Sequence, residues 1–181
     1  MTVECTRRAH SVALGKLVLM RHAKSDYPSG VPDHDRPLNP RGRRDAAAAG
    51  IWLAEHWDDY LGTGAIVLLS SATRVQQTFE LLAPSIPEAP IREVPELYEA
   101  AVSTIIAAVQ EPVAHGQSVL VIAHNPGLEQ LATFLTQTST SWDRTRMLTK
   151  YPTSAIAVLG FNDEAWSNAS AELIEFAIPR G

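Results

Sequence analysis

Cysteine is nearly absent from this chain. Cys5 is the single one among 181 residues, so no intramolecular disulfide can form and no cysteine-rich zinc site can be assembled. Long apolar runs are missing too: none approaches the ~20 residues that a membrane-spanning helix needs. Basic residues are outnumbered, fifteen against twenty acidic ones, for a formal net charge of −5. That balance disfavours a general nucleic-acid binder, although a local basic pocket is compatible with it. Aromatic residues make up only 7%, and Trp52, Trp57, Trp142 and Trp166 lack the interleaved basic context of a base-stacking surface. They read as core or boundary residues. The Walker A pattern, the Gly-x-Gly-x-x-Gly turn and the Gly-x-Ser-x-Gly elbow are all absent, which argues against P-loop hydrolysis and serine acyl transfer. No HExxH, CxxC or Asp-rich spacing marks a metal site, so neither metal nor cofactor is expected.

What is present is ordinary for one globular domain. Apolar residues are 45% and charged residues 19%, with mean hydropathy near zero. A chain of this size buries about 70% of its unfolded surface. Arg7-Arg8 opens a segment broken by His10 and Ser11, unlike a secretory signal. Residues 1–15 are expected to form a tail, residues 16–181 the domain, and the setting is expected to be cytoplasmic. Asn168-Ala169-Ser170 matches a glycosylation acceptor, a chance match in that setting.

Short apolar runs alternate with helical periods. Leu17–Met20, Ile66–Leu69, Val119–Ala123 and Ala155–Leu159 suit strands buried on both faces, and Leu173–Ile178 alternates like an edge strand. Val75, Thr78, Phe79 and Leu82 line one face of a helix, as do Val102, Ile105, Ile106 and Val109, and Leu128, Leu131, Ala132 and Leu135. A longer helix should start at Asn39-Pro40, an N-cap followed by proline, and run to about Trp57. The pattern predicts an α/β sandwich around a largely parallel sheet. Residues 25–38 and 84–97 each hold several breakers and should be surface excursions.

Three apolar runs end alike. The first runs into Arg21-His22, the second into Ser70-Ser71-Ala72-Thr73-Arg74, and the third into His124-Asn125. Ligands of open α/β sheets bind outside the carboxyl ends of the strands. Parallel strands would therefore gather Arg21, His22, Arg74 and His124 at one edge, a cationic pocket in an acidic protein. Arginine forks and helix N-termini suit phosphoryl oxygens. Each residue alone could be a solvated loop or a satisfied strand end; the conjunction points to a phosphoryl guest.

LVLMRHAKS at 17–25 resembles the opening of the histidine phosphatase superfamily, the phosphoglycerate mutase-like fold. DHDRPLNPRG at 33–42, SSATRVQQT at 70–78 and VIAHNPGLEQLA at 121–132 resemble its SixA-type phosphohistidine phosphatase branch. The ordered blocks span residues 16 to about 160. The resemblance implies a single-domain three-layer sandwich whose sheet is mixed but mostly parallel. It makes His22 the nucleophile and assigns Arg21, Arg74 and His124 to the phosphoryl oxygens, with no metal required. Arg36 and Asn125 are further expected substrate contacts, although Arg36 could instead pair with Asp33 or Asp35. Glu99 is the candidate proton donor, or else a solvated loop carboxylate; Asp33, His34 and Asp35 are other donors on the first loop. The implied activity is hydrolysis of phosphohistidine on a partner protein, with a small-molecule phosphomonoesterase as runner-up. A silent phospho-ligand binding module is the remaining alternative. No oligomeric state is read from the sequence.

Overall fold

The computed structural model describes residues 15–161 and 170–181. Most of the expected tail, Trp166 and the residues Asn168-Ala169 of the acceptor match lie outside them. Gly15 is described and packs on the Gln117 backbone, where a Cβ would clash.

Among the described residues six strands form one sheet in the order β3-β2-β4-β1-β5-β6. These are β1 (Leu17–Arg21), β2 (Ile66–Leu69), β3 (Ile91–Glu93), β4 (Val119–Ala123), β5 (Ile156–Gly160) and β6 (Glu172–Ala177). The pairs β1·β4, β2·β4 and β2·β3 are parallel; β1·β5 and β5·β6 are antiparallel. The sheet is thus mixed and mostly parallel.

The apolar runs are continuous because both faces are covered. Leu17, Leu19, Val119, Val121, Ala157 and Leu159 point into one core, shared with α4 (Val102–Ala114), α5 (Gly127–Leu135) and Met147 of α6 (Trp142–Thr149). Val18, Met20, Leu120, Ile122, Ile156 and Val158 point into the other, against α1 (Pro40–Glu55), α2 (Trp57–Tyr60) and α3 (Thr73–Leu82). Each Leu, Ile or Val so buried contributes roughly 1.5–3 kcal/mol relative to exposure. The three-layer sandwich follows from that alternation.

The expected start of α1 is present: Asn39 Oδ1 accepts from the Gly42 amide at 2.8 Å, with Pro40 following the cap. The helix breaks at His56, and Trp57 begins the short α2 instead of closing α1. Residues 84–97 are not wholly irregular. Pro90 and Pro95 fence the three-residue β3, which extends the sheet edge beside β2. Helix α6 has no counterpart in the apolar pattern, since Met147 is its one buried residue; its start is set by Ser141, whose hydroxyl accepts from the Arg144 amide. Trp57 is core, but Trp142 is 75% exposed, against expectation, because it opens α6 on the solvent side. No described helix is long and apolar enough to cross a membrane.

Candidate active site

The carboxyl ends of β1 and β4 and the N-terminus of α3 meet at one edge, around a cavity of about 220 Å³. Arg21 is the last residue of β1 and His22 the next. Both neighbouring strands hold that end: the His22 amide donates to Ala123 O at 3.0 Å, and the Arg21 amide to Ala155 O at 3.0 Å. His124 follows β4 directly, and Arg74 stands in the first turn of α3. His22, Arg74 and His124 are 7, 6 and 5% exposed. The four residues expected at one edge are together.

Hydrogen bonds fix the state of His22. Its Nδ1 lies 2.7 Å from Ala23 O, and a carbonyl can only accept, so Nδ1 carries the proton. The lone pair is then on Nε2, to which Arg74 Nε–H donates at 3.2 Å. Burial pushes the imidazole pKa well below the usual 6.5, and His124, Arg74 and Arg21 push the same way. His22 is a neutral imidazole with its basic nitrogen among cations. His124 is also held neutral, pushed down to about 3 by burial and then by Arg74. The two rings tilt at 57° with centroids 5.0 Å apart.

Arg74 is anchored from several sides. Its NH1 and NH2 donate to Asp33 O at 2.6 Å and Asp33 Oδ2 at 3.0 Å. One turn on, the buried Thr78 hydroxyl donates to Arg74 O and accepts the Ala23 amide at 3.0 Å, tying α3 to the residue after His22. Arg21 NH1 donates to Tyr151 O at 2.8 Å, while its buried Nε has no partner among the described residues. Asn125 Nδ2 donates to Glu129 Oε2 and Tyr151 O, so its Oδ1, unpartnered among the described residues, is what remains for other contacts. Close packing sustains this frame. A Cβ at Gly42 would meet Lys24 O at 2.0 Å, and one at Gly127 would meet Ala100 O at 2.3 Å.

The first loop covers the cage. Asp33 Oδ2 accepts from Arg74 and from Tyr98 OH, and Oδ1 from Arg36. The Tyr98 hydroxyl first, then Arg36 and Arg74, hold the Asp33 carboxyl at about 2, so it is ionised at neutral pH. Arg36 pairs with Asp33, not Asp35; its other nitrogens donate to Asp26 O and Ser25 Oγ, and its guanidinium lies 3.4 Å over the Tyr27 ring. Each Arg36 nitrogen is thus engaged within the loop. His34 and Asp35 pair with each other, and His34 Nε2 lies 3.0 Å from Ser71 Oγ. Glu99 is exposed on the cavity wall at φ 51°, in the left-handed region. Sequence reasoning missed Tyr98, Tyr151 and the bracing roles of Ser70 and Thr78. The hydroxyls of Ser70 and Thr78 were legible at fixed offsets around Arg74; the tyrosines carried no signal.

The sequence also matches a known family. The model of the histidine phosphatase superfamily, branch 1, matches residues 17–108. An uncharacterised protein of Mycobacterium tuberculosis is 40% identical over 166 residues, which cover 89% of this chain and all of that one. The chain belongs to the histidine phosphatase superfamily. Among solved members, a SixA protein from Nakamurella multipartitia is 32% identical, with TM-score 0.78 over 93% of this chain and 98% of that one. The protein histidine phosphatase SixA, solved with tungstate, is 25% identical, with TM-score 0.71 over 91% of this chain and 97% of that one. As a histidine phosphatase superfamily member, the chain is expected to act on a phosphorylated substrate. The matched residues include His22 and Arg74; His124 lies beyond them.

Proposed function

We propose that this protein is a phosphatase that forms a covalent phosphohistidine on His22 and acts on phosphohistidine carried by a partner protein. The observation that carries the reading is the protonation pattern of His22. Nδ1–H is committed to Ala23 O, which leaves a neutral Nε2 lone pair beside Arg74. In the first step Nε2 attacks phosphorus in line, forming an N–P bond as the substrate's P–N bond breaks. The departing imidazole nitrogen takes a proton from solvent or from a group at the pocket mouth. In the second step water attacks phosphorus, the His22 N–P bond breaks, and inorganic phosphate leaves. Arg21, Arg74 and His124 would hold the equatorial oxygens as charge builds on them. Two guanidinium groups supply the positive charge that magnesium supplies in other phosphoryl-transfer sites, so this reading requires no metal.

A protein-borne phosphohistidine suits the site because a phosphoramidate nitrogen leaves without a strong acid. The cavity is also open to solvent, so a side chain could enter from a partner. A cytoplasmic setting belongs to the same reading. One observation favours a small phosphomonoester as second substrate: Glu99 sits on the cavity wall in a left-handed conformation costing roughly 1–2 kcal/mol, as strained residues at working sites do. It could protonate an alkoxide.

The test is phosphate release from a phosphohistidine-bearing protein with EDTA present, parent against His22→Ala. Release that survives EDTA and drops about a thousandfold or more in the variant is expected. Release unchanged by the substitution would refute the covalent step, and no release by the parent would redirect the assay to phosphomonoesters.

A further inference from the structure

Ser70 follows β2 immediately and is completely buried. Its hydroxyl oxygen lies 2.8 Å from His124 Nε2, and no other partner for that hydroxyl occurs among the described residues. The second nitrogen of His124, Nδ1, is buried and has no hydrogen-bond partner among the described residues. His124 itself lines the cavity with Arg21, His22 and Arg74. A neutral imidazole has one N–H and one lone pair, and a serine hydroxyl can meet either. The direction of this one bond therefore decides what Nδ1 offers.

The hydroxyl proton settles the direction. If Ser70 accepted from Nε2–H, its own proton would be buried with nothing to receive it, and Nδ1 would hold a lone pair. A lone pair repels an anionic oxygen. If Ser70 donates, its proton is satisfied by Nε2, and the unpartnered group becomes an Nδ1–H, which an anion can complete. Unsatisfied buried donors are costly, so the second arrangement wins once a ligand arrives. We infer that Ser70 is a positioning residue that fixes the tautomer of His124, donating to Nε2 so that a neutral ring offers Nδ1–H to a phosphoryl oxygen. The two histidines are then set in complementary forms. Ala23 O accepts from Nδ1–H of His22, which leaves the Nε2 lone pair for attack; the Ser70 hydroxyl donates to the Nε2 lone pair of His124, which leaves Nδ1–H as a donor for binding. The depressed pKa of His124 is consistent with this, since the ring must donate without being charged.

The inference rests on the phosphoryl-site reading, and its test separates the two. Long-range proton–nitrogen correlation spectra of the chain labelled at histidine nitrogens report each tautomer, with tungstate as the oxyanion probe. His124 should be Nδ1–H in the parent and in Ser70→Thr, which keeps the hydroxyl. Ser70→Ala should lose that preference and bind tungstate about tenfold more weakly, the loss typical of one hydrogen bond to a charged group. In a His124→Ala background, Ser70→Ala should change tungstate affinity little. An Nε2–H tautomer in the parent, or an Nδ1–H form unmoved by Ser70→Ala, would overturn the inference. The parent spectrum decides this even if a variant fails to fold. Failure of the parent to bind tungstate at all would strike the phosphoryl reading and take the inference with it.

Discussion

The candidate site has two halves built on different principles. One half, with Arg21, His22, Arg74 and His124, stands on strand ends and a helix start, and backbone bonds from neighbouring strands fix it. The other half, with Asp33, Arg36, Tyr98 and Glu99, rides on loops, and Asp33 holds Arg36 and Tyr98 through side chains. The first half sets the His22 lone pair by backbone contacts alone, whereas the end of its Arg74 guanidinium donates to Asp33 of the loop. The second holds an ionised carboxylate against Arg74, where a phosphoryl group would also bind. The framework places the residues to which the proposal assigns the chemistry; the loop places a carboxylate that competes for Arg74.

Substitutions should separate the halves by the size of their effects. Arg74→Ala, in the framework half, should lower kcat/KM for phosphohistidine by about 10²–10³-fold, the range for losing one strong oxyanion donor. Steady-state rates check this, and a loss below tenfold would mean that Arg74 serves Asp33 more than substrate. Glu99→Gln, in the loop half, should depend on the leaving group. An alkyl phosphate should be hydrolysed about 10²-fold more slowly, while phosphohistidine should change by less than about threefold. Equal losses on both substrates would make Glu99 a binding group. Asp33→Asn should tighten tungstate by no more than about fivefold, because the Asp33 side chain is 47% exposed and such ion pairs are worth about 0–1 kcal/mol. Weaker binding in a titration would show that Asp33 orients Arg74 instead of competing for it.

The smallest effect expected is on pH. His22 stays neutral through the range in which a free histidine charges, because burial depresses its pKa. Between pH 7.5 and 5.5 the rate should change by less than about twofold, once titration of the substrate is allowed for. A fall centred near 6.5 would mean an ordinary imidazole. Stability should respond oppositely to the same shift. With the folded pKa below the unfolded one, the unfolded chain binds more protons as pH drops below 6.5, so stability is lost toward acid. His124 adds to this loss between 6.5 and about 3. Denaturant midpoints measured across that window check the sign.

The framework half was legible because its residues follow directly on apolar runs. A continuous apolar run ending in Arg-His or His-Asn states both its burial and its chemistry in adjacent letters. The loop half was legible only as a loop. That Asp33 would meet Tyr98, sixty-five positions away, depends on how two irregular segments dock. Tyr151, whose carbonyl receives both Arg21 and Asn125, gave no pattern because the work is done by its backbone. β3 was missed since three exposed residues between prolines carry no periodicity, and α6 since a helix with one buried residue has no stripe.

The position of β1 has a consequence for how the chain folds. β1 is first in sequence but pairs with β4 and β5, about a hundred residues and more downstream. Contacts of such separation slow folding, because loop closure must come before any reward. During synthesis Leu17–Met20 emerges with both strand edges open, a segment prone to pairing elsewhere until residues 119–160 follow. Ser154, which donates to Arg21 O and His22 O, comes near the end of that stretch. His22 is therefore among the early residues made and among the last to be seated.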